Sequence, residues 1–309
     1  MKILITGGAG FIGHNVALYL IKEGYDVVVL DSMERSSNYA LRRLEDYGVP
    51  VIKTNVRWFS NYGGFDVVIH GAAYVSVEES VREPLKYFEN NVLGTAKVAY
   101  ECVKSNSKLI YLSSAAVYGE PTKLPVSEEH PTNPQSPYGL SKLQGEEILR
   151  NFTKIYGLKH VVLRLFNVYG PGQNPQYAGV ITSFLNRALK NEPLIIYGDG
   201  EQTRDFIYVD DVARVIEFFI KENIFDNETY NVGSGNPVSI KELAKTIIKI
   251  TSKESLITHE PPRPGDVKHS VADVSKITRL TKIKPTTLEE GLKKTLAELR
   301  IYGVNSGFM

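Results

Sequence analysis

The stretch Met1–Asp31, MKILITGGAGFIGHNVALYLIKEGYDVVVLD, decides the fold. Lys2–Thr6 is a short apolar run of the kind that forms a buried strand. Gly7, Gly10 and Gly13 punctuate GGAGFIG, and apolar residues at helical spacing (Phe11, Ile12, Val16, Leu18, Leu20, Ile21) run on toward Gly24. A second apolar run, Asp26–Leu30, ends in Asp31. Strand, glycine turn, helix, strand and terminal acid within about thirty residues is the arrangement that binds a dinucleotide. In such a unit one glycine permits the turn, one lets backbone N–H groups approach a pyrophosphate, and one lets helix and strand pack closely. The helix N-terminus, with unpaired N–H groups and partial positive charge, suits a diphosphate. A carboxylate at Asp31 would accept hydrogen bonds from the adenosine ribose and repel a 2′-phosphate, which predicts NAD as the cofactor.

At 309 residues the chain has room for a full nucleotide-binding sheet and a smaller second region. Thirty-six basic residues against thirty-five acidic ones leave a net charge of +1, which argues against nucleic acid or an anionic membrane as partner. The single Cys102 cannot form an internal disulfide and fits a reducing, cytoplasmic setting. No apolar run approaches the length of a membrane span, and the chain opens on a core strand with no sign of a signal peptide. The six histidines lack paired helical spacing and no Cys–His cluster exists, so no metal is expected.

Beyond Asp31 the polar run Ser32–Asn38 (SMERSSN) is placed to touch the adenine side of the cofactor. Tyr39–Tyr47 reads as a helix and Val51–Lys53 as a strand. Asp66–His70 is another buried strand, leading into Gly71, Ala72 and Ala73, small residues that suit backbone passing close to a ligand. Pro84 predicts one long helix from Leu85 to about Ser105. It carries Asn90 and Asn91, unfavourable in mid-helix, so at least one should have a partner. Lys108–Leu112 is the next strand. This alternation predicts a doubly wound parallel sheet with right-handed crossovers, a Rossmann fold.

Ser113 and Ser114 end the Lys108–Leu112 strand, where open parallel sheets place their ligands. Tyr138 and Lys142 open a helix at i and i+4 and so share one face. An ammonium beside a phenol favours the phenolate and is expected to pull its pKa from about ten toward neutrality. Alone this would read as an exposed pair; beside a nucleotide-binding half and Ser114 it reads as a catalytic set. The remaining chain alternates less regularly. Strands are expected at His160–Phe166, Leu194–Tyr197 and Thr229–Val232. Helices are expected at Gly179–Lys190, from Asp210 or Asp211 as cap to about Lys221, at Ile240–Ile250 capped by Ser239, at Val274–Leu280 and at Leu288–Tyr302. There is no internal repeat. The expected division is 1–166, the dinucleotide-binding domain with Ser114, Tyr138 and Lys142, and 167–309, a smaller α/β substrate lobe with some segments returning to the first domain.

Taken together, TGGAGFIG (Thr6–Gly13), Asp31, NNVLGT (Asn90–Thr95), SSAAVYG (Ser113–Gly119), YGLSK (Tyr138–Lys142), RLFNVYGPGQ (Arg164–Gln173), GDGEQTRDFIYVDD (Gly198–Asp211) and RPGD (Arg263–Asp266) resemble the NAD-dependent epimerase/dehydratase family. This is the extended branch of the short-chain dehydrogenases/reductases, and the likeness runs from Lys2 to about Asp273. It is strongest to members that interconvert UDP-glucose and UDP-galactose by inverting C4 through a 4-keto intermediate. The resemblance implies that Tyr138 is the acid/base on the sugar 4-hydroxyl and that Ser114 bonds the same oxygen. Lys142 would hold the nicotinamide ribose. Phe11, Ile12, Asn90 and Ser113 would touch NAD, with Phe166 near its nicotinamide. Asn55, followed by Val56, stands where the family usually has an aspartate facing the adenine amino group; its side-chain oxygen could accept the same bond. Asn167, Arg204, Arg263 and Asp266 would hold the substrate, the arginines gripping its diphosphate.

Dehydratase relatives need an extra acid and base directly after the Ser114 strand. Ala115 and Ala116 can transfer no proton, which favours an epimerase over a dehydratase or decarboxylase. A non-catalytic NAD-binding protein would have no need of the Ser114–Tyr138–Lys142 set. Ser270 aligns with a family position where bulk excludes N-acetylated sugars, so UDP-N-acetylhexosamines are expected to be accepted too. The family pattern also implies a homodimer through the helices Leu85–Ser105 and Tyr138–Gly157.

Overall fold

A computed structural model of the protein describes residues 1–174, 179–262 and 267–303. The first half runs β1 (Lys2–Thr6), α1 (Phe11–Lys22), β2 (Asp26–Asp31), α2 (Asn38–Asp46), β3 (Val51–Lys53), β4 (Val67–His70), α3 (Val77–Arg82), α4 (Pro84–Tyr87), a π-helical turn (Phe88–Leu93), α5 (Gly94–Ser105), β5 (Lys108–Ser114), a 3-10 turn (Ala115–Val117), α6 (Pro137–Tyr156) and β6 (His160–Leu165). Then come β7 (Asn167–Tyr169), α7 (Val180–Leu189), β8 (Leu194–Tyr197), β9 (Thr203–Tyr208), α8 (Val209–Lys221), β10 (Thr229–Val232), β11 (Pro237–Ser239), α9 (Ile240–Thr251), β12 (Ile257–Glu260), α10 (Ser275–Thr281) and α11 (Leu288–Gly303).

Seven strands form one sheet in the order β10-β6-β5-β4-β1-β2-β3, every pairing parallel. This is the doubly wound order, with β10 added beyond β6. The strand order reverses between β1 and β4, the switch point outside which such sheets bind ligands. Alternation along each strand explains the two-sided burial. Ile3, Ile5, Val27, Val29, Ile69 and Ile110 pack with Val16 and Leu20 of α1 and Ile216 and Phe219 of α8. Leu4, Val28, Leu30, Val68, Leu109 and Tyr111 face the other way, onto Val98 and Cys102 of α5 and Leu149 of α6. A third core, Phe184, Leu185, Leu194, Ile196, Leu243, Ile247 and Leu292, joins α7, β8, α9 and α11. Among the described residues no helix is long and apolar enough to cross a membrane.

Two expectations need correction. The long helix from Leu85 to Ser105 is broken: Pro84 opens a single turn, Phe88–Leu93 widens into a π turn, and α5 begins only at Gly94. Helix α8 is not capped by Asp210 or Asp211. Tyr208 is its N-cap, with no side-chain capping bond, and both aspartates sit in the first turn. There Asp211 instead accepts from Thr286 N at 2.7 Å and Thr286 Oγ1 at 3.0 Å, tying α8 to the approach of α11. The run from Thr203 to Tyr208 is a strand, paired with β7 and β11. Ser239 does cap α9, in a full capping box with Glu242.

Candidate active site

The glycine turn is built on backbone contact. Gly7 has φ +68°, and a Cβ there would lie 2.6 Å from Ala72 N. A Cβ on Gly13 would lie 2.3 Å from Gly7 O and 2.6 Å from Gly8 Cα. The turn, the first turn of α1 and the end of β4 therefore touch without intervening side chains. Gly10 is the N-cap of α1 and makes no side-chain capping bond, so the first-turn N–H groups keep the open positions an anion takes. Asp31 secures this turn. Its Oδ2 accepts from Ala9 N at 3.0 Å and its Oδ1 from Met33 N at 2.8 Å. Burial pushes its carboxyl upward, and these two bonds oppose the push.

A cavity of about 320 Å³ opens over the carboxyl ends of β1, β2, β4 and β5. Gly7, Gly10, Phe11, Ile12, Gly13, Asp31 and Ser32 line one part of it, with Asn55 and Val56 nearby. Gly71, Ala72, Ala73, Asn90, Ser113, Ser114, Tyr138, Lys142 and Phe166 line the rest. The cradle in which no Cβ fits, the open helix N-terminus and a buried acid at the end of β2 match the shape and polarity of a dinucleotide. The sequence reading did not single out Glu34, Arg35, Tyr74, Gln173 or Asn174, which also line the cavity. Glu34 and Arg35 had a signal, since they lie in the polar run after Asp31. Tyr74 had none: its place follows from Asn91, whose Oδ1 accepts from Tyr74 N at 2.8 Å and whose Nδ2 donates to Tyr74 O at 3.0 Å.

Asn55 lines the cavity with its oxygen already engaged. Oδ1 accepts from Arg57 N at 3.0 Å and Arg57 Nε at 3.2 Å, while Nδ2 donates to Asn90 Oδ1 at 3.4 Å. The expected bond from an adenine amino group to this oxygen meets a lone-pair set that Arg57 occupies. The π turn accounts for both asparagines, which are buried on adjacent positions. Besides holding Tyr74, Asn91 donates to Ser141 Oγ at 3.0 Å, fastening the π turn to α6. Behind it runs a directed chain. Thr95 Oγ1 donates to Asn91 O at 2.6 Å, so it must accept from His70 Nε2, at 3.0 Å. His70 Nδ1 then accepts from Thr6 Oγ1 at 2.7 Å. Burial, reinforced by the Lys142 charge, lowers the His70 pKa to about 3 and keeps this ring neutral.

Ser114, Tyr138 and Lys142 meet where α6 is pressed onto β5. Pro137 and the Ser136 cap, which accepts from Gly139 N at 3.1 Å, start the helix. A Cβ on Gly145 would lie 2.2 Å from Tyr111 Oη, and one on Gly139 2.6 Å from Ala116 O, so both glycines set the close approach. Lys142 Nζ donates to Leu112 O at 2.7 Å and lies 4.9 Å from the centre of the Tyr111 ring. Burial lowers its pKa to about 8 against the pull of Glu146. The expected lowering of the Tyr138 pKa is not what the fold produces. Burial raises it, and the opposing influence is the hydrogen bond with Ser114. Desolvation dominates while the ammonium is turned to the Leu112 carbonyl.

Asn167 and Arg204 are not among the residues lining this cavity. Asn167 Nδ2 donates to Asp205 O at 3.1 Å, and Arg204 Nη1 donates to Thr203 O at 2.9 Å. Arg263 and Asp266 lie outside the described residues. Ser270 N donates to Thr203 O at 3.2 Å, next to Arg204 in the chain.

Residues 3–233 match the model of the NAD dependent epimerase/dehydratase family. The chain belongs to that family. It is accordingly an enzyme of that family, and its cofactor is NAD. The chain is 39% identical to a putative UDP-glucose 4-epimerase of Methanocaldococcus jannaschii, over 95% of this chain and 97% of that protein. A UDP-glucose 4-epimerase of Thermotoga maritima, solved with UDP-glucose, matches with TM-score 0.91 at 37% identity, covering 97% of this chain and 99% of that one. A UDP-N-acetylglucosamine 4-epimerase of Methanobrevibacter ruminantium matches with TM-score 0.91 at 34% identity, covering 97% and 98%. Family members at 31% identity include a decarboxylase of Bacillus cytotoxicus and a dehydratase of Dictyostelium discoideum, so membership alone leaves the reaction open.

Proposed function

We propose that the protein is a UDP-hexose 4-epimerase that interconverts UDP-glucose and UDP-galactose. The observation carrying this reading is a Ser114–Tyr138–Lys142 set on the dinucleotide cavity, followed by Ala115 and Ala116 in the turn after β5. Neither alanine can serve as the additional acid or base that elimination or decarboxylation chemistry requires. NAD, when bound, supplies a reversible hydride acceptor for C4 of the sugar. As the phenolate, Tyr138 Oη removes the proton of the 4-hydroxyl while Ser114 holds the same oxygen. After the 4-keto sugar has turned over about its diphosphate, the same phenol returns the proton. Lys142 would hold the nicotinamide ribose, and Asp31, Gly10 and Ile12 the adenosine and diphosphate. Asn167, Arg204, Arg263 and Asp266 are proposed to grip the UDP end, leaving the sugar free to turn.

Product NMR after incubation with UDP-glucose, UDP-GlcNAc and dTDP-glucose tests this. Galacto-configured product from UDP-glucose is expected, and from UDP-GlcNAc if the small Ser270 leaves room for the acetamido group. A 4-keto-6-deoxy product would sink the reading. A homodimer is proposed through the helices of the π-turn region and α6. In support, Val77, Val81, Leu85 and Leu93 are more than half exposed on and around them, at 52%, 63%, 74% and 58%. Light scattering at micromolar protein should give twice the 34.5 kDa chain mass; a species of chain mass counts against the dimer. The buried, unpaired Cys102 is consistent with a proposed cytoplasmic location.

A further inference from the structure

One buried carboxylate outside the catalytic set holds together the elements that bear it. Glu146 lies one turn beyond Lys142 on α6 and is fully buried. Its Oε1 accepts from Ser113 Oγ at 2.6 Å, the neighbour of Ser114 on β5, and from Arg164 Nε at 3.0 Å on β6. Its Oε2 accepts from Arg164 Nη2 at 2.7 Å. Arg164 is 4% exposed, and its Nη1 donates to Tyr118 Oη at 2.9 Å and Glu128 O at 3.3 Å. Tyr118 Oη donates to Asn231 Oδ1 at 2.7 Å, and Asn231 Nδ2 donates to Val126 O at 2.9 Å. Val126 in turn bridges to Ala272. Strand β5, helix α6, strand β6 and the segments around residues 126 and 272 thus converge on a single ion pair.

We propose that Glu146 is a positioning residue. It bolts the strand bearing Ser114 to the helix bearing Tyr138 and Lys142, and it supplies the negative pole that keeps the buried Lys142 ammonium charged. Ser114 and Tyr138 come from different elements and must reach one sugar oxygen together, so their relative placement has to be rigid. A bidentate guanidinium and a hydroxyl leave the carboxylate little freedom to move. Among the described residues, the groups shown to act on Lys142 are Glu146 on its own helix, the Leu112 carbonyl and Tyr111 ring on β5, and the neutral His70 on β4. Glu146 is the anion among them. Arg164 stands beyond it and is satisfied by it.

The role in turnover rests on the epimerase reading, but the charge of Lys142 can be measured without substrate. The comparison is between wild-type holoenzyme and Glu146→Gln/Arg164→Met, which removes both charges so that neither remains buried alone. The Lys142 13Cε resonance, assigned by its loss in Lys142→Met, is titrated in NAD-loaded protein. The midpoint should fall by about one pH unit in the double variant. With UDP-glucose, kcat should fall on the order of 10- to 100-fold, with its alkaline limb moved to lower pH and KM for UDP-glucose unchanged. Glu146→Gln alone keeps the side-chain shape and the acceptor for Ser113. It carries the same expectation if the double variant does not fold. An unchanged Lys142 midpoint overturns the proposal whether or not the wild type turns over a UDP-sugar. A lowered midpoint in an enzyme inert toward every UDP-sugar upholds it and removes the epimerase reading instead.

Discussion

Tyr138→Phe should lower turnover of UDP-glucose by about 10²- to 10⁴-fold, the range an acid/base group contributes, while NAD stays bound. The substitution deletes one oxygen and keeps the ring, which sits edge-on to Tyr87 with centroids 6.5 Å apart at 82°. Packing around the site is therefore preserved. Nothing else here can replace the lost group. Among the described residues, Ser114 is the side chain that hydrogen-bonds the phenol, and a serine hydroxyl is a far weaker base than a phenolate. Burial holds the Tyr138 proton more tightly than in water, so the charge of the oxidised cofactor and of Lys142 has to be brought to bear during the reaction. The measurement is kcat by product NMR, with NAD content read from the absorbance of protein released by heating. Turnover near the wild-type rate would overturn the assignment of the base. Loss of NAD along with activity would show that the ring, rather than the oxygen, was disturbed.

Gly13→Ala should strip the protein of NAD and lower its thermal midpoint. The new methyl group would be driven to 2.3 Å from Gly7 O and 2.6 Å from Gly8 Cα, both backbone atoms that cannot rotate away. Helix α1 must then back off the turn, which takes its first-turn N–H groups away from the diphosphate position. Overpacking of this kind costs about 1–3 kcal/mol in folding. Gly179→Ala is the control, because a Cβ there meets nothing within 4 Å among the described residues and φ is −70°. That variant should keep both its NAD and its midpoint. If Gly13→Ala purifies with a full complement of NAD, the close approach of α1 to the turn is not what holds the cofactor.

Much of this site could be read along the chain because its parts are local. The glycine spacing, the acid at Asp31, the small residues Gly71–Ala73 and the Tyr138–Lys142 offset each express a backbone requirement within a few residues, and all of them line the cavity. The strands of the main sheet were legible for the same reason, being apolar runs bounded by turns. The chain pattern failed where the deciding contact comes from far away. Asn90 and Asn91 gave a hint of partners but not of the π turn, which depends on Asn91 reaching Tyr74 and Ser141. Asn55 looked available until Arg57 closed over its oxygen. Short strands such as β12, which pairs with β8 more than fifty residues earlier, show little periodicity of their own.

Sequence alone determined the class of fold and the kind of cofactor, and it named the side chains proposed here as catalytic, because residue type and short-range spacing set the backbone path and the available chemistry. Only the tertiary structure decided the charge states and the rigidity of that chemistry. The raised Tyr138, the lowered Lys142 and the neutral His70 all follow from burial by segments distant in the chain. So does the locking of Glu146 between Ser113 and Arg164, an ion pair whose members are 18 residues apart in sequence and meet only when β6 lies beside β5. Desolvation and buried charge pairing depend on what surrounds a group in space, and no local pattern encodes that.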